Sequence, residues 1–565
     1  MFLPTTTDEV RERGWKGLDV VMVSGDTYVD SPYNGTAMAG HWLVDHGYRV
    51  GIVCQPDVSS DKDITRLGRP ELFWSVSAGC VDSMVANYTA SNRRRKDDDF
   101  TPGGNNDRRP DRACIAYTNL IKRYCKGDKV VLSGIEASLR RIAHYDAWTD
   151  SVRRSVLVDS KADAIAYGMT ELANLELAGR IASGSDWSDV RGICRMSRDK
   201  PEGYLEIPSY EECRDDKEAF RKAFLGFYRN NDPLTAKGIC QRHGDRYLVQ
   251  NPPQRDLTRS ELDSVYESDY MNAVHPFYLK DGAVKAMDTI SNSVTTHRGC
   301  YGECAFCAIA LHQGRRVISR SEESILREVE RMASAPGFNG VIRDVGGPTA
   351  NMYMVECPKK ARQGACPDRR CLYPSVCPSL HIDHGPQIDL LKKISKIDGV
   401  RKVFVGSGVR YDMVVADRNN GQNYLDLLAR RHVSGQMKIA PEHVSDEVLR
   451  RMGKPGTDVL ERFIDMFGKS VAKCGKDEYL TYYFMAAHPG CRPKDMVELD
   501  KYCTQILRFH PQQVQIFTPT PSTLATMMYH VGKDEYNKPV FVERSPRKRQ
   551  DQKDVVVKEV RNAKR

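Results

Sequence analysis

The ten residues from 298 to 307 read RGCYGECAFC and place three cysteines within eight positions: Cys300, Cys304 and Cys307. With 17 cysteines in 565 residues, random placement would give this three-and-two spacing about 0.02 times per chain. Three thiolates from one short loop can hold three irons of a four-iron cluster and leave the fourth open. The stretch therefore predicts a 4Fe-4S site with an open iron. The alternatives are a zinc knuckle that lacks a ligand and three cysteines buried as small hydrophobes.

The spacing Cys-x3-Cys-x2-Cys, with Phe306 directly before the last cysteine, resembles the signature of the radical S-adenosylmethionine (SAM) superfamily. The resemblance implies that the three cysteines bind a 4Fe-4S cluster and that the amine and carboxylate of SAM chelate the open iron. It also implies that Phe306 flanks the adenine. In that superfamily one electron from the cluster cleaves SAM to methionine and a 5'-deoxyadenosyl radical, so both cofactors are expected here.

Strand-like and helical segments alternate downstream of the first cysteine. This alternation predicts a partial (β/α)6 barrel over residues 289–540, in which the loops after the strands build the active site. Helices are expected at about 421–431, 445–452, 458–473 and 493–508, and another ends at Ala333 after a capping box of Ser319 and Glu322. The six strands are predicted at 293–296, 340–345, 402–405, 436–439, 479–485 and 513–517.

Three of the predicted barrel loops also resemble radical SAM elements. Gly346 and Gly347 match the glycine-rich segment that meets the methionine amine of SAM, although Pro348 stands where many relatives have a glutamate. Glu442 is a candidate SAM contact, or alternatively a solvated carboxylate at a helix start. Gln515 lies in the segment that resembles the last barrel strand, which borders the adenine.

A second cysteine set lies in an insertion over residues 355–385, between the second and third predicted strands. Topology places this insertion on the active-site side of the barrel. Its spacing lacks paired Cys-x2-Cys knuckles, so an auxiliary iron-sulfur cluster, structural zinc and buried thiols all remain open. His381 and His384 are substitute ligands. The four cysteines are Cys357, Cys366, Cys371 and Cys377.

The first 185 residues predict a different α/β domain. Apolar runs at 18–23, 48–53, 73–76 and 129–132 are typical of buried parallel strands, so a doubly wound parallel sheet is expected. In overall order the chain resembles radical SAM proteins that carry an N-terminal cobalamin-binding domain. The cobalt-ligand motif Asp-x-His-x-x-Gly is missing, because residues 25–30 contain no histidine, and cobalamin is therefore doubtful. Residues 186–288 are interpreted as a linker subdomain.

The formal net charge of +9 is concentrated at the C-terminal end. Residues 544–565 hold nine Lys or Arg against three Asp or Glu, which is a net charge of +6. We expect residues 541–565 to form a basic disordered tail, with RNA contact as an alternative. No apolar h-region or stretch of ~18 apolar residues is present, so no membrane partner is expected. The scattered cysteines favour a cytoplasmic location.

Over nearly the full chain, the domain order, cysteine loop and basic end resemble the YgiQ-like radical SAM family. The sequence therefore predicts an enzyme that reductively cleaves SAM, with unknown substrate and catalytic residues. A small electron-donor protein such as flavodoxin or ferredoxin is an expected partner. One alternative is radical methyl or sulfur transfer to RNA or protein. The other is a non-catalytic iron-sulfur module that binds RNA or a protein partner.

Overall fold

The computed structural model describes residues 1–367 and 369–557, which form two compact units. The N-terminal unit comprises Met1–Ser291, Leu311–Gly314 and Thr520–Ser522, and the C-terminal unit contains the other residues from Asn292 onward. Among the described residues, no helix is long and apolar enough to cross a membrane.

A nine-stranded sheet organises the N-terminal unit. Five of its strands are parallel, and numbered along the chain they lie in the order 2-1-3-4-5, which is a doubly wound arrangement. These five are almost entirely buried, as expected for parallel strands covered on both faces. Across the sheet the strands are Leu205–Ile207, Ile239–His243, Arg246–Gln250, Ile193–Ser197, Ala164–Ala166, Val130–Leu132, Phe73–Ser77, Val20–Ser24 and Val50–Cys54.

The four parallel strands predicted in this unit are confirmed. The fifth, Ala164–Ala166, is missing from the prediction because three residues give too short an apolar run. The segment 186–288 differs from the predicted linker subdomain, since it supplies four strands of the same sheet. Two-stranded ribbons pair Val29–Asp30 with Ala273–Val274 and His144–Asp146 with Ser151–Arg153.

The helices of the N-terminal unit follow its strands. The long ones carry an apolar face toward the sheet, as Ala113–Tyr124 does with Tyr117, Leu120 and Ile121. The set is Thr7–Glu12, Gly35–Asp45, Ser83–Asn87, Ala113–Tyr124, Gly134–Leu139, Val156–Ser160, Glu171–Ala182, Tyr210–Asp215, Lys217–Arg229, Arg259–Glu267, Pro276–Leu279 and Met287–Ile290, with a short 3-10 turn at Pro102–Gly104.

Six parallel strands form the partial barrel of the C-terminal unit, and all six predicted strands are confirmed. Each contacts the next along the chain, the third and fourth through the parallel bridge of Val409 with Ile439. In the described part of the chain no pairing joins the first strand to the sixth, so the barrel is open. The strands are Ser293–Thr295, Val341–Ile342 continued by Asp344–Gly346, Lys402–Val403, Gln436–Glu442, Tyr479–Ala486 and Gln515–Ile516.

The long helices Glu322–Ser334, Gly385–Ile394 and Thr457–Cys474 each bury an apolar stripe in the barrel core. The first begins at Glu322 and is capped by Ser321, two residues after the Ser319 that the sequence pattern indicated. A short ribbon pairs His297–Arg298 with Ile318–Ser319. The helices are Ile309–His312, Glu322–Ser334, Pro358–Gln363, Gly385–Ile394, Tyr411–Ala416, Gly421–Leu427 continued by Leu428–His432, Asp446–Met452, Thr457–Cys474, Pro493–Tyr502 continued by Cys503–Leu507, Leu524–Val531 and Pro546–Val556.

The basic C-terminal segment differs from the predicted disordered tail. Pro546–Val556 is a helix that buries Arg549, Gln552 and Val556. Arg549 donates to the carbonyl of Phe517, and Gln552 accepts the backbone N–H of Ala487 at 3.1 Å. Two of the three buried residues are polar, so the sequence shows no apolar periodicity that would have predicted this helix. The last eight residues of the predicted tail, 558–565, lie outside the described residues.

Candidate active site

The cysteine loop begins directly after the first barrel strand and is fixed by its own backbone. Gly299 has φ +82°, and a Cβ there would lie 1.9 Å from the carbonyl oxygen of Arg316, so only glycine fits. Ala305 donates its N–H to Met452 at 2.9 Å and accepts the N–H of Ala525 at 2.8 Å. These bonds hold the loop at the carboxyl ends of the strands, where β/α barrels place their active sites.

The three thiols of the loop are half-buried and influence one another. Burial raises the pKa of Cys300, and it raises the pKa of Cys307 to about 12. The neighbouring Cys304 sulfur raises the pKa of both thiols further, whereas Lys454 opposes the shift at both and Arg410 at Cys300. The thiols therefore share one low-dielectric pocket in which nearby cations favour the thiolate form.

The donor set fits a 4Fe-4S cluster better than a single metal ion. Among the described residues, no three His, Cys, Asp or Glu side chains converge as ligands of one ion. In a cubane each thiolate binds its own iron, so the ligands stand further apart than around one ion. Three half-buried soft ligands on one loop, with cations nearby, meet that requirement.

Arg410, in the loop after the third barrel strand, reaches the cysteine loop. Its Nε donates to Asp412 Oδ1 at 2.9 Å, Nη2 bonds the other carboxylate oxygen, and Nη1 donates to Cys304 Sγ at 3.4 Å. A Cβ on Gly302 would lie 2.6 Å from Nη1 and 3.3 Å from Cys300 Sγ. The glycine between the first two cysteines thus leaves room for the guanidinium.

A second set of ion pairs holds the other side of the cysteine loop. Glu303, in the left-handed region with φ +46°, is buried between Arg315 and Lys360, each at 3.3 Å. Lys360 also donates to the carbonyl of Arg315 at 3.0 Å and lies 5.4 Å from the ring centroid of Tyr301. Because Lys360 belongs to the cysteine-rich insertion, the insertion packs directly against the loop that carries the first cysteine set.

The two glycines after the second barrel strand lie beside the first. Thr296 donates its N–H to Gly346 O at 2.6 Å. A Cβ on Gly347 would lie 2.7 Å from the ring of His297, which is fully buried and whose pKa burial lowers to about 3. The close approach of His297 therefore requires glycine at position 347, independently of the predicted contact of the glycine pair with SAM.

Glu442 is not a solvated carboxylate at a helix start. The helix that follows begins at Asp446, and Glu442 itself has φ +72° with a side chain only 12% exposed. Its Oε1 lies 3.9 Å from Nζ of Lys454, and burial raises the pKa of the carboxyl. Lys454 donates to Ala440 O at 2.7 Å, which keeps its charge near Glu442 and the thiols. The structure thus brings Glu442 to the cysteine loop.

Phe306 and Gln515 differ in placement. Phe306 packs edge-to-face on His488, with ring centroids 6.1 Å apart, and joins the apolar cluster of the fourth and fifth strands. The Nε2 of His488 is buried and has no hydrogen-bond partner among the described residues, and burial lowers its pKa to about 3. Gln515 is exposed on its two-residue strand. Phe517, two residues after Gln515, is the side chain that contacts His488, with the two ring centroids 5.3 Å apart.

Three cysteines of the second set lie in one apolar cluster. Cys357, Cys371 and Cys377 pack there together with Cys300, whereas Cys366 is outside it. Burial raises the pKa of Cys371 to about 11, and the Lys360 ammonium opposes that shift. The structure therefore gathers three of the four cysteines near the first set and leaves Cys366 apart.

The two histidines of the insertion have different surroundings. His384 is buried, its Nδ1 bonds Asp417 at 2.7 Å, and its Nε2 meets Asn351 at 3.0 Å. His381 pairs through its backbone with Glu356 and is exposed. Both ring nitrogens of His384 are used, so it is occupied as a structural residue and does not serve as a metal ligand in this arrangement.

A doubly wound fold binds ligands where the strand order reverses, so this point of the N-terminal sheet is where a cobalamin would be expected. That point lies between Val20–Ser24 and Phe73–Ser77. A Cβ on Gly25 would lie 2.2 Å from Ala78 O, so the two strand-end loops are in backbone contact. Asp26 is buried beside them, where it accepts from Arg109 at 2.6 Å and from the Cys80 N–H at 2.6 Å. The two loops are therefore closed on each other at this point.

Sequence reasoning missed Arg410, Asp412, Lys454, Lys360 and His488. Arg410 and His488 follow the third and fifth barrel strands, and Lys454 follows the helix after the fourth. The rule that barrel active sites collect the loops after the strands was the available signal. It marks the loops but does not select a side chain within them.

Comparisons with known proteins agree with this geometry. The family described as Radical SAM N-terminal matches residues 2–293, and the Radical SAM superfamily matches residues 294–503. A UPF0313 protein of Fusobacterium nucleatum is 54% identical over 100% of both chains. A UPF0313 protein of Thermotoga maritima is 47% identical over 99% of this chain and 98% of that one.

A solved structure shares the fold. It is the radical S-adenosylmethionine methyltransferase TsrM from Kitasatospora setae, with tryptophan substrate and a SAM analogue bound, at 13% identity and a TM-score of 0.50. The match covers 89% of this chain and 74% of that chain. Fold and cysteine loop together define a radical SAM enzyme, a class that uses a 4Fe-4S cluster and SAM. Within it, the chain belongs to the UPF0313 family, which is the YgiQ-like family.

Proposed function

We propose that Cys300, Cys304 and Cys307 hold a 4Fe-4S cluster with which this enzyme reductively cleaves SAM. When bound, the cluster supplies the electron that converts SAM to methionine and a 5'-deoxyadenosyl radical. The observation that supports the proposal is the set of three half-buried thiols at the carboxyl end of the barrel, with Arg410 beside Cys304.

The residues around the loop have separate roles in this proposal. Phe306 and His488 form an apolar wall for the adenine, consistent with their edge-to-face packing. Lys454 and Glu442 provide a charged pair for the polar end of SAM. Glu303, held by Lys360 and Arg315, keeps the loop closed against water.

Anaerobic reconstitution with iron and sulfide, followed by dithionite and SAM, tests the proposal. We expect about four irons per chain from the first site and accumulation of 5'-deoxyadenosine. A reconstituted cluster that yields no 5'-deoxyadenosine would favour the non-catalytic iron-sulfur module. Radical methyl or sulfur transfer to RNA or protein would appear as SAM-dependent modification of an added macromolecule.

The partners and location follow from the same chemistry. The electron donor is a small carrier protein such as flavodoxin or ferredoxin, because SAM cleavage consumes one electron. All 17 cysteines lie in the described residues and are free, which supports a reducing, cytoplasmic location. RNA contact through the C-terminal helix would use its exposed residues Arg547 and Lys548, since Arg549 is buried.

A second metal centre at the insertion is a separate proposal. Its support is the clustering of Cys357, Cys371 and Cys377, and its ligand set is completed by Cys366 or by an external group. Protein carrying alanine at Cys300, Cys304 and Cys307 should retain iron with visible absorption if the centre is an auxiliary cluster, or zinc if it is structural. Neither metal, together with free alkylation of all four thiols in the folded protein, would leave buried thiols as the explanation.

Cobalamin is not part of the proposal. The contact between the two strand-end loops beside Asp26 argues against a nucleotide-binding pocket between the strand ends. The test is addition of hydroxocobalamin to the purified protein, followed by gel filtration and absorption spectroscopy. Co-elution at one equivalent per chain would contradict this view.

A further inference from the structure

We propose that Arg410 is a positioning residue that makes the cluster easier to reduce, and that Asp412 and Asn351 hold it in place for that purpose. The inference rests on the proposed ligation of the cluster by Cys300, Cys304 and Cys307. It goes beyond that proposal because it assigns control of the reduction step to side chains from another loop.

The guanidinium is held so that one nitrogen faces the cysteine loop. An arginine has five N–H donors in a rigid planar fork. Asp412 takes the edge formed by Nε and Nη2, and the remaining nitrogen, Nη1, lies 3.4 Å from Cys304 Sγ. The carboxylate therefore orients the charge as well as pairing it, and leaves a donor for the sulfur.

The backbone of Arg410 is fixed from the opposite side. Asn351 Oδ1 accepts the N–H of Arg410 at 2.7 Å, and Asn351 Nδ2 donates to its carbonyl at 3.1 Å. His384 bonds Asn351 at 3.0 Å and Asp417 at 2.7 Å. Asn351, His384 and Asp417 are all buried. This chain of buried polar groups leaves the arginine little freedom to move away from the thiols.

Reduction adds one electron to the cluster, and no proton or bond change in the protein is required. The electron comes from the donor protein, or from dithionite in a test. Hydrogen bonds to the cluster sulfurs, net charge and solvent exposure set the reduction potential of an iron-sulfur cluster. Arg410 is 8% exposed and is paired with Asp412, and an arginine side chain keeps its charge at every ordinary pH. A permanent buried cation at this sulfur favours the more negative, reduced state.

The test is an EPR-monitored redox titration of anaerobically reconstituted full-length protein. Arg410→Gln removes the charge, Arg410→Lys retains it without the fork, and Asn351→Leu leaves the arginine charged and paired but frees its backbone. The matched control is Arg418→Gln. Arg418 is an exposed arginine just after the helix Tyr411–Ala416, and Arg410 directly precedes that helix. All variants are compared at equal iron content.

At a fixed donor potential we expect the ratio of reduced to oxidised cluster to fall about tenfold in Arg410→Gln, which is the size of one hydrogen bond to a charged group. Arg410→Lys should restore part of the ratio, Asn351→Leu should give an intermediate fall, and Arg418→Gln should match wild type. If both Arg410→Gln and Asn351→Leu titrated like wild type, the inference would be overturned.

If Arg410→Gln fails to retain iron, Asn351→Leu decides the question alone: a cluster that is harder to reduce supports the proposal and an unshifted potential overturns it. A failure of the proposed function has a different appearance. In that case wild-type protein would assemble no cluster that responds to SAM, or Cys304→Ala would retain it.

Discussion

Both units hold a buried arginine where their parallel strands end, but the two arginines are paired differently. In the N-terminal unit, Arg109 contacts two carboxylates, Asp26 at 2.6 Å and Asp98 at 3.0 Å. Its Nε donates to Gly25 O at 3.2 Å. The cation is therefore fully matched within the protein, and a further anion would find no free positive charge.

In the barrel, Arg410 has one carboxylate partner, Asp412, and directs a further N–H at Cys304. Lys454 adds a second buried cation, with its nearest carboxylate oxygen 3.9 Å away. Each of these cations has a single carboxylate near it and also lies close to the thiols, so an anionic cluster held there would gain from both. The difference between the two edges teaches that topology offers both as ligand sites, whereas the local charge balance distinguishes the closed one from the receptive one.

The largest expected effect concerns the receptive edge. Cys304→Ala removes one of three proposed iron ligands and the sulfur that Arg410 faces, so we expect loss of the SAM-responsive cluster and of 5'-deoxyadenosine formation. Iron content and deoxyadenosine are measured together. Cys474→Ala is the control, since Cys474 ends the helix Thr457–Cys474 outside both cysteine sets. Full turnover by Cys304→Ala would refute the cluster assignment.

A substitution at the closed N-terminal edge should change the free energy of unfolding and leave the cluster unaffected. Asp26→Asn removes the negative charge nearest Arg109 and leaves only Asp98 to balance it, so we expect a loss of about 3 kcal/mol in the free energy of unfolding. Urea denaturation measures the loss. Iron content and cluster potential should remain at wild-type values, in contrast to the potential of Arg410→Gln. A changed potential with unchanged stability would remove the distinction between the two edges.

A third effect comes from a histidine buried at the barrel edge. Burial lowers the pKa of His488 from 6.5 to about 3, so below pH 6.5 the unfolded chain binds a proton that the folded chain excludes. Its stabilising contribution is complete above pH 6.5 and is lost as the pH falls toward 3. The loss is about 1.4 kcal/mol per pH unit, or about 2 kcal/mol at pH 5.

Urea denaturation at pH 7, 6 and 5 checks this contribution. His488→Gln should flatten the dependence of unfolding free energy on pH, whereas His510→Gln, at an exposed position, should leave the slope unchanged. Only the slopes are compared, because the substitution at His488 alters packing as well. Equal slopes in His488→Gln and wild type would contradict the assignment of the proton to His488.

The sequence predicted the parallel strands well because their apolar runs are local. It missed Ala164–Ala166, which is too short, and it assigned residues 186–288 to a separate subdomain because their strands join the sheet through non-local pairing. The polar face of Pro546–Val556 gave no apolar period, so a helix was taken for a disordered tail.

The candidate site divides in the same way. Cys300, Cys304 and Cys307 could be proposed as a site from the sequence because all three lie in one loop. Glu442 came from a resemblance, and the structure places it near Lys454. The role proposed for Arg410 could not be predicted, because it depends on contact with Cys304, which lies 106 residues earlier in the chain. Gln515 was chosen for its strand, and its exposed side chain does not reach the cysteine loop in the described contacts.

The smallest loss of stability is expected for Gly302→Ala at the barrel edge, and its counterpart at the N-terminal edge is Gly25→Ala. In Gly25→Ala the new Cβ would lie 2.2 Å from the backbone oxygen of Ala78, which cannot move without the strand. In Gly302→Ala it would lie 2.6 Å from Nη1 of Arg410, the far end of a long side chain. Because the guanidinium can yield, Gly302→Ala should cost about 1 kcal/mol, at the low end for overpacking, and Gly25→Ala about 3 kcal/mol or more.

Displacement of the guanidinium should nevertheless weaken its bond to Cys304, so the Gly302→Ala cluster should be harder to reduce at unchanged iron content. Gly25→Ala should leave the potential at its wild-type value. Urea denaturation and redox titration of the same two preparations measure both quantities. If Gly302→Ala lost more stability than Gly25→Ala, the barrel edge would be as rigidly filled as the N-terminal crevice, and the contrast between a receptive and a closed edge would fail.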